Sequence, residues 1–131
     1  MSVTVVRVMS KRDLVSIVDD DESIRQALEG LFRSVGLQAA AFASADEFLR
    51  SRHLATTRCL ILDLRMTGID GLELQRRLIN DGRRIAIVIL TGHGDDEARA
   101  RALRAGAAAF LPKPFDAETL LGVIDGILRR R

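Results

Sequence analysis

Five short apolar runs, each ending at polar residues and followed by a segment of helical spacing, constrain the fold of this chain most. The runs are "LVSIV" (14–18), "LQAAAFA" (37–43), "CLILDL" (59–64), "IAIVILTG" (85–92) and "AAAFLPKP" (107–114). After the first, Ile24, Ala27, Leu28, Leu31, Phe32 and Val35 recur at intervals of three and four, which is one face of a helix. Ser23 and Gln26 predict a capping box at its start, and Gly36 a stop at its end. Ser44 with Glu47 predicts a second capping box, opening a short helix to Arg50. Leu72, Leu74, Gln75, Leu78 and Ile79 predict a third helix ending near Gly82. Asp95 or Asp96 caps a fourth that Gly106 stops, and Asp116 opens a fifth carrying Leu120, Leu121, Val123, Ile124, Ile127 and Leu128.

The pattern is βα, five times over. Strands that read as continuous apolar runs lie in parallel sheets covered on both faces, so the expected class is α/β. The chain has 131 residues, 47% of them hydrophobic, which suits one domain with its own core. A net charge of +2 does not call for a nucleic-acid or membrane partner. The single cysteine, Cys59, excludes a disulfide within the chain and reads as a buried, reduced thiol of a cytoplasmic protein. "MSVTVVRVM" is broken by Arg7 and lacks the build of a signal peptide, and no run approaches the ~20 residues of a membrane span. Met9 would itself open a sensible chain. Residues 1–12 therefore read as a leader, a tag remnant or an early start, and 13–131 as the domain.

In a sheet of this kind the functional site lies at the carboxyl ends of the strands. Asp19 and Asp20 follow the first run, Asp63 lies near the end of the third, Thr91 is in the fourth, and Lys113 in the fifth. Each alone has a plain reading: a helix cap, a turn residue, a solvated amine. "TGHGD" has the look of a phosphate cradle without any known spacing, and turn glycine is the simpler account. Yet all five side chains reach one edge, and Lys113 is one of only two lysines in the chain. Two carboxylates ~4 Å apart repel by ~4 kcal/mol at an effective dielectric of ~20. Three of them raise one another's pKa or recruit a cation. Oxygen donors without His or Cys suit Mg²⁺ above all, with Mn²⁺ as the alternative. A cation, an ammonium and a hydroxyl together match the oxygens of a phosphoryl group in transfer, and a carboxylate can itself be the nucleophile.

With those residues in place, the chain resembles the receiver domain of two-component response regulators. The motifs that carry the resemblance are "IVDDDES", "LILDLRMTGIDG", "VILTGHGD" and "AGAAAFLPKPF", and it covers about residues 13–128. "TGHGD" and "FLPKPF" are most similar to the FixJ branch, whose full-length members often carry a helix-turn-helix DNA-binding domain. The resemblance implies a flavodoxin-like (βα)5 three-layer sandwich with sheet order 2-1-3-4-5. It makes Asp63 the phospho-acceptor, Asp20 a direct Mg²⁺ ligand, Asp19 a ligand mainly through water, and the Arg65 backbone carbonyl the third protein ligand. It makes Thr91 the hydroxyl that moves to the phosphoryl group, Lys113 the holder of a phosphoryl oxygen, and Phe110 the aromatic switch. It implies a cis Lys113–Pro114 bond and assigns Arg65 and His93 to the positions that tune phosphoryl lifetime. The implied partners are a histidine kinase or phosphotransfer protein, with a homodimer through the fourth helix, fifth strand and fifth helix. Direct nucleic-acid binding by this chain is not implied.

One departure stands out: Thr67 occupies a position where the family usually has proline. Two other readings compete. A haloacid-dehalogenase-type phosphatase needs a second acid where this chain has Arg65, and normally a longer chain. A pseudo-receiver, a pure interaction module, would lack acceptor-site residues that are all present here. In the last helix, Gly122 and Gly126 read as tight packing against the sheet, with close approach of a partner helix as the alternative. The terminal "RRR" complements the helix dipole or begins a linker.

Overall fold

A computed structural model describes residues 14–66, 68–92 and 96–130. The expected leader, Thr67, His93 and Asp95 lie outside the described residues. The strands are β1 (Leu14–Val18), β2 (Gln38–Phe42), β3 (Thr57–Leu62), β4 (Ala86–Thr91) and β5 (Ala109–Pro112). The helices are α1 (Glu22–Ser34), α2 (Ala45–Leu49), α3 (Gly71–Asn80), α4 (Asp96–Arg104) and α5 (Ala117–Arg129). All strand pairs are parallel, in the order β2-β1-β3-β4-β5. This is the flavodoxin-like arrangement, with the expected α/β class and strand order.

The strand period of two explains the layers. Val15, Ile17, Cys59, Ile61, Val88 and Leu90 pack to one face, against Leu28 and Phe32 of α1 and Leu120, Ile124 and Leu128 of α5. Val18, Leu60, Leu62, Ile87 and Ile89 pack to the other, against Phe48 of α2, Leu74 and Leu78 of α3 and Ala102 of α4. A buried Leu, Ile or Phe side chain contributes about 1.5–3 kcal/mol. Helix α4 sinks only Ala102 into the core and is the most lightly anchored of the longer helices.

Local chemistry moves several boundaries. Asp21, not Ser23, caps α1: its Oδ1 accepts from Ser23 N at 2.8 Å and Ile24 N at 3.3 Å. A carboxylate there also meets the positive end of the helix dipole, which Ser23 would not exploit as well. Ser44 does cap α2, accepting from Glu47 N at 3.1 Å, while Glu47 reaches back to Ala43 N rather than to the cap residue's own N–H. A 3-10 helix, Arg52–Thr56, precedes β3 and carries no periodic signal. Strand β3 begins two residues earlier than its apolar run, because the buried Thr57 hydroxyl bonds to Ser16 Oγ and the His53 carbonyl, both at 2.7 Å. It stops one residue before Asp63, and β5 is limited to four residues. The tight packing expected at Gly122 and Gly126 is absent: a Cβ at either would meet nothing within 4 Å.

Candidate functional site

The register brings the acids together. Val18 pairs with Leu62, so the residues after them, Asp19 and Asp63, leave the sheet side by side. Backbone bonds hold both: Asp63 N donates to Val18 O and Asp19 N to Phe42 O, each at 3.1 Å. Carboxylate oxygens of Asp19, Asp20 and Asp63 lie within 4.8 Å of one another. Asp19 is 2% and Asp63 6% exposed, whereas Asp20 faces solvent. The apolar runs of β1 and β3 thus carry two carboxylates to the rim of the core and leave the third open to water.

Lys113 closes the cluster. Its Nζ is 2.8 Å from Asp19 Oδ2 and 3.3 Å from Asp63 Oδ2. Burial alone would lower its pKa, but the hydrogen bond and charge of Asp19, with those of Asp63, outweigh burial and hold it above the ordinary 10.5. Burial raises the Asp19 carboxyl above its ordinary 3.8, against the opposing pull of Lys113 and the Asp21 N–H. The ammonium is therefore charged, and the carboxylates of Asp19 and Asp63 both pair with it.

Thr91 ends β4, 4% exposed, and its carbonyl accepts from Lys113 N at 2.9 Å. The Lys113–Pro114 bond is cis. The backbone N–H of Arg65 donates to Asp63 Oδ1 at 3.2 Å, and the Arg65 side chain is exposed. Phe110 sits half-buried in β5 against the second core layer, with the Arg99 guanidinium of α4 5.6 Å from its ring centroid. Asp19, Asp20, Asp63 and Lys113 form one cluster, while Phe110 belongs to the packing behind the sheet.

The donor set suits a hard divalent cation: oxygens only, one carboxylate open to water, and uncompensated negative charge. Gly71 is a contributor that the sequence reading passed over. A Cβ there would stand 2.5 Å from Asp63 O and 2.7 Å from Leu64 Cα, and Gly71 N donates to Leu64 O at 3.1 Å. The first turn of α3 thus rests directly on the backbone carrying Asp63. A glycine at the first helical position, right after the Asp70 cap, is the one hint in the sequence.

Comparison with known proteins decides the family. Residues 15–125 match the response regulator receiver domain profile. The chain belongs to the response regulator receiver family. The response regulator protein TodT of Pseudomonas putida is 42% identical over 127 residues, covering 96% of this chain and 56% of TodT. The transcriptional regulatory protein FixJ of Azorhizobium caulinodans is 38% identical over 116 residues, covering 88% of this chain and 55% of FixJ. The solved structure of the response regulator StyR is 43% identical with a TM-score of 0.82, over 89% of this chain and 59% of that one. The receiver domain thus spans about half the length of the curated relatives it matches. Among the described residues, no helix is long and apolar enough to cross a membrane.

Proposed function

We propose that this receiver domain is a phosphorylation switch with Asp63 as the acceptor. The observation that carries the reading is the Asp63 carboxylate at the strand edge, bonded to Lys113 and clustered with Asp19 and Asp20. A histidine kinase or phosphotransfer protein presents a phosphohistidine. An Asp63 oxygen attacks phosphorus in line, the P–N bond breaks, and the imidazole leaves with the electron pair. Lys113 stays charged throughout and takes up an equatorial phosphoryl oxygen. Asp20, Asp63 and the Arg65 carbonyl would hold Mg²⁺, or Mn²⁺ in its place, and Asp19 would act mainly through water. The bound ion supplies charge stabilisation for the transferring oxygens. The product is an acyl phosphate that water hydrolyses, so the switch resets. The domain assists its own phosphorylation and dephosphorylation and turns over no other substrate.

The signal passes through Thr91 and Phe110. Thr91 moves to donate to the phosphoryl group, Phe110 turns into the vacated space, and the surface of α4, β5 and α5 repacks. Shifting a two-state balance from 1:99 to 99:1 takes about 5.5 kcal/mol. One or two charge-assisted hydrogen bonds supply about 1.5–3 kcal/mol each, which leaves either partial activation or a homodimer through the α4–β5–α5 face that adds the remainder. The output is transcriptional, through an attached or partner DNA-binding domain, in the cytoplasm. His93 and Arg65 set the phosphoryl lifetime. Arg65 lies over the phosphoryl group and slows attacking water, so Arg65→Ala is expected to shorten the half-life of the phosphorylated domain; an unchanged half-life removes that role.

Incubation with acetyl phosphate and Mg²⁺, read by intact mass, tests the acceptor reading. One added phosphoryl group is expected, and it disappears with a chelator or with Asp63→Asn. A pseudo-receiver gains no mass, and a haloacid-dehalogenase-type phosphatase turns over phosphate esters without a stable label.

A further inference from the structure

Asp19 is held at every polar group. Its N–H donates to Phe42 O at 3.1 Å, its Oδ1 accepts from Asp21 N at 2.9 Å, and its Oδ2 pairs with Lys113 at 2.8 Å. Its carbonyl accepts a 2.8 Å bond from Nη1 of Arg25, in the first turn of α1. That contact reaches forward from a helix to the peptide just behind it. The planar peptide means that fixing the Asp19 carbonyl also fixes the Asp20 N–H and the direction in which Asp20 leaves the strand. The Asp20 carboxylate is exposed, so its aim is set by its backbone rather than by neighbours around the side chain. A short bond from a planar, permanently charged guanidinium is well suited to such a clamp.

We infer that Arg25 is a positioning residue of the acceptor site: it clamps the Asp19–Asp20 peptide so that both acids converge on one divalent cation. The inference rests on the proposed Mg²⁺-dependent receiver site. Arg25 touches neither the cation nor the phosphoryl group; it acts through the backbone. Its charge gives a competing account that predicts the opposite outcome. A guanidinium beside an acidic cluster repels a cation, so if charge were its only effect, removing it would tighten Mg²⁺ binding. If Arg25 clamps the loop, removing it loosens Mg²⁺ binding despite the lost repulsion.

Calorimetric titration of the domain with Mg²⁺ alone, without any phosphodonor, separates these accounts. Arg25→Met keeps the apolar stem and removes the donor; Arg25→Lys keeps a charged donor of shorter reach. Arg25→Met is expected to weaken Mg²⁺ roughly tenfold, as loss of an outer partner of metal ligands does, with Arg25→Lys in between. Thermal melting of each variant without Mg²⁺ reports the fold separately. A purely structural role lowers the melting temperature and leaves the Mg²⁺ dissociation constant of the folded variants unchanged. Wild-type binding with unchanged or tighter binding in Arg25→Met overturns the clamp alone. Should Arg25→Met not fold, Arg25→Gln, uncharged and of shorter reach, takes its place, and wild-type affinity in that variant overturns the clamp equally. A wild-type domain that takes no Mg²⁺ overturns the clamp together with the proposed metal site.

Discussion

Burial raises the pKa of Asp19, while Lys113, its 2.8 Å partner, is held above the ordinary lysine value by the acids around it. The two shifts act on stability in different pH windows. A raised Asp19 contributes stability below its unfolded value, near 3.8, and loses it as pH climbs through the higher folded value. At neutral pH the ionised Asp19 therefore opposes folding. Lys113 contributes stability that is fully present below about 10.5 and disappears only in strong alkali. Asp19→Asn is thus expected to raise the melting temperature at neutral pH without Mg²⁺. The gain should shrink in acid, where the wild-type carboxyl is protonated. Gly71→Ala drives a Cβ into the Asp63 carbonyl at 2.5 Å. Relieving that clash costs about 1–3 kcal/mol and shifts the acceptor loop, so chemical denaturation and the acetyl phosphate reaction should both show a loss. Asp19, Asp20, Asp63, Thr91 and Lys113 were legible in the sequence because each stands at the end of an apolar run. Gly71 and Arg25 were not, since their roles depend on what lies opposite them in space.

Among the elements, the periodic ones were legible and the aperiodic ones were not. Helices α1, α3 and α5 follow their apolar spacing because a buried face imposes it. Three alanines in β2 give little strand preference, yet pairing with β1 makes the strand. The 3-10 helix at Arg52–Thr56 is held by the Ser51 cap and the Thr57 hydroxyl, which no apolar spacing announces. Helix α4 is tied to α3 by Gln75, whose Nε2 donates to Ala102 O at 3.0 Å while its buried Oε1 lacks a partner. That half-satisfied contact and the lone buried Ala102 leave α4 lightly held against the rest of the domain. In α5, Gly122 and Gly126 face open space, so each loses helix propensity without a packing gain within the domain. Gly122→Ala and Gly126→Ala are each expected to stabilise the domain by up to about 1 kcal/mol in denaturant titrations. A loss instead would mean that the two positions face a partner helix.

At the scale of the whole molecule, the alternation of strands and helices dictates a covered parallel sheet, and the sheet gathers its strand ends into one site. Strand order cannot be read from alternation alone, because a βαβ unit can step to either side of a strand; it came from the resemblance to receiver domains. Reversal of direction after β1 and β2 places β1 beside β3, and only that neighbourhood brings Asp19 next to Asp63. The pairing of the two acids is therefore a property of the topology as much as of the residues.

Asp63, among three clustered acids, is the one expected to take the phosphoryl group. Borohydride reduces an aspartyl phosphate to homoserine, which marks the acceptor permanently. After reaction with acetyl phosphate and Mg²⁺, reduction and peptide sequencing should find homoserine at position 63 and at no other acid. Homoserine at position 19 or 20 would contradict the account.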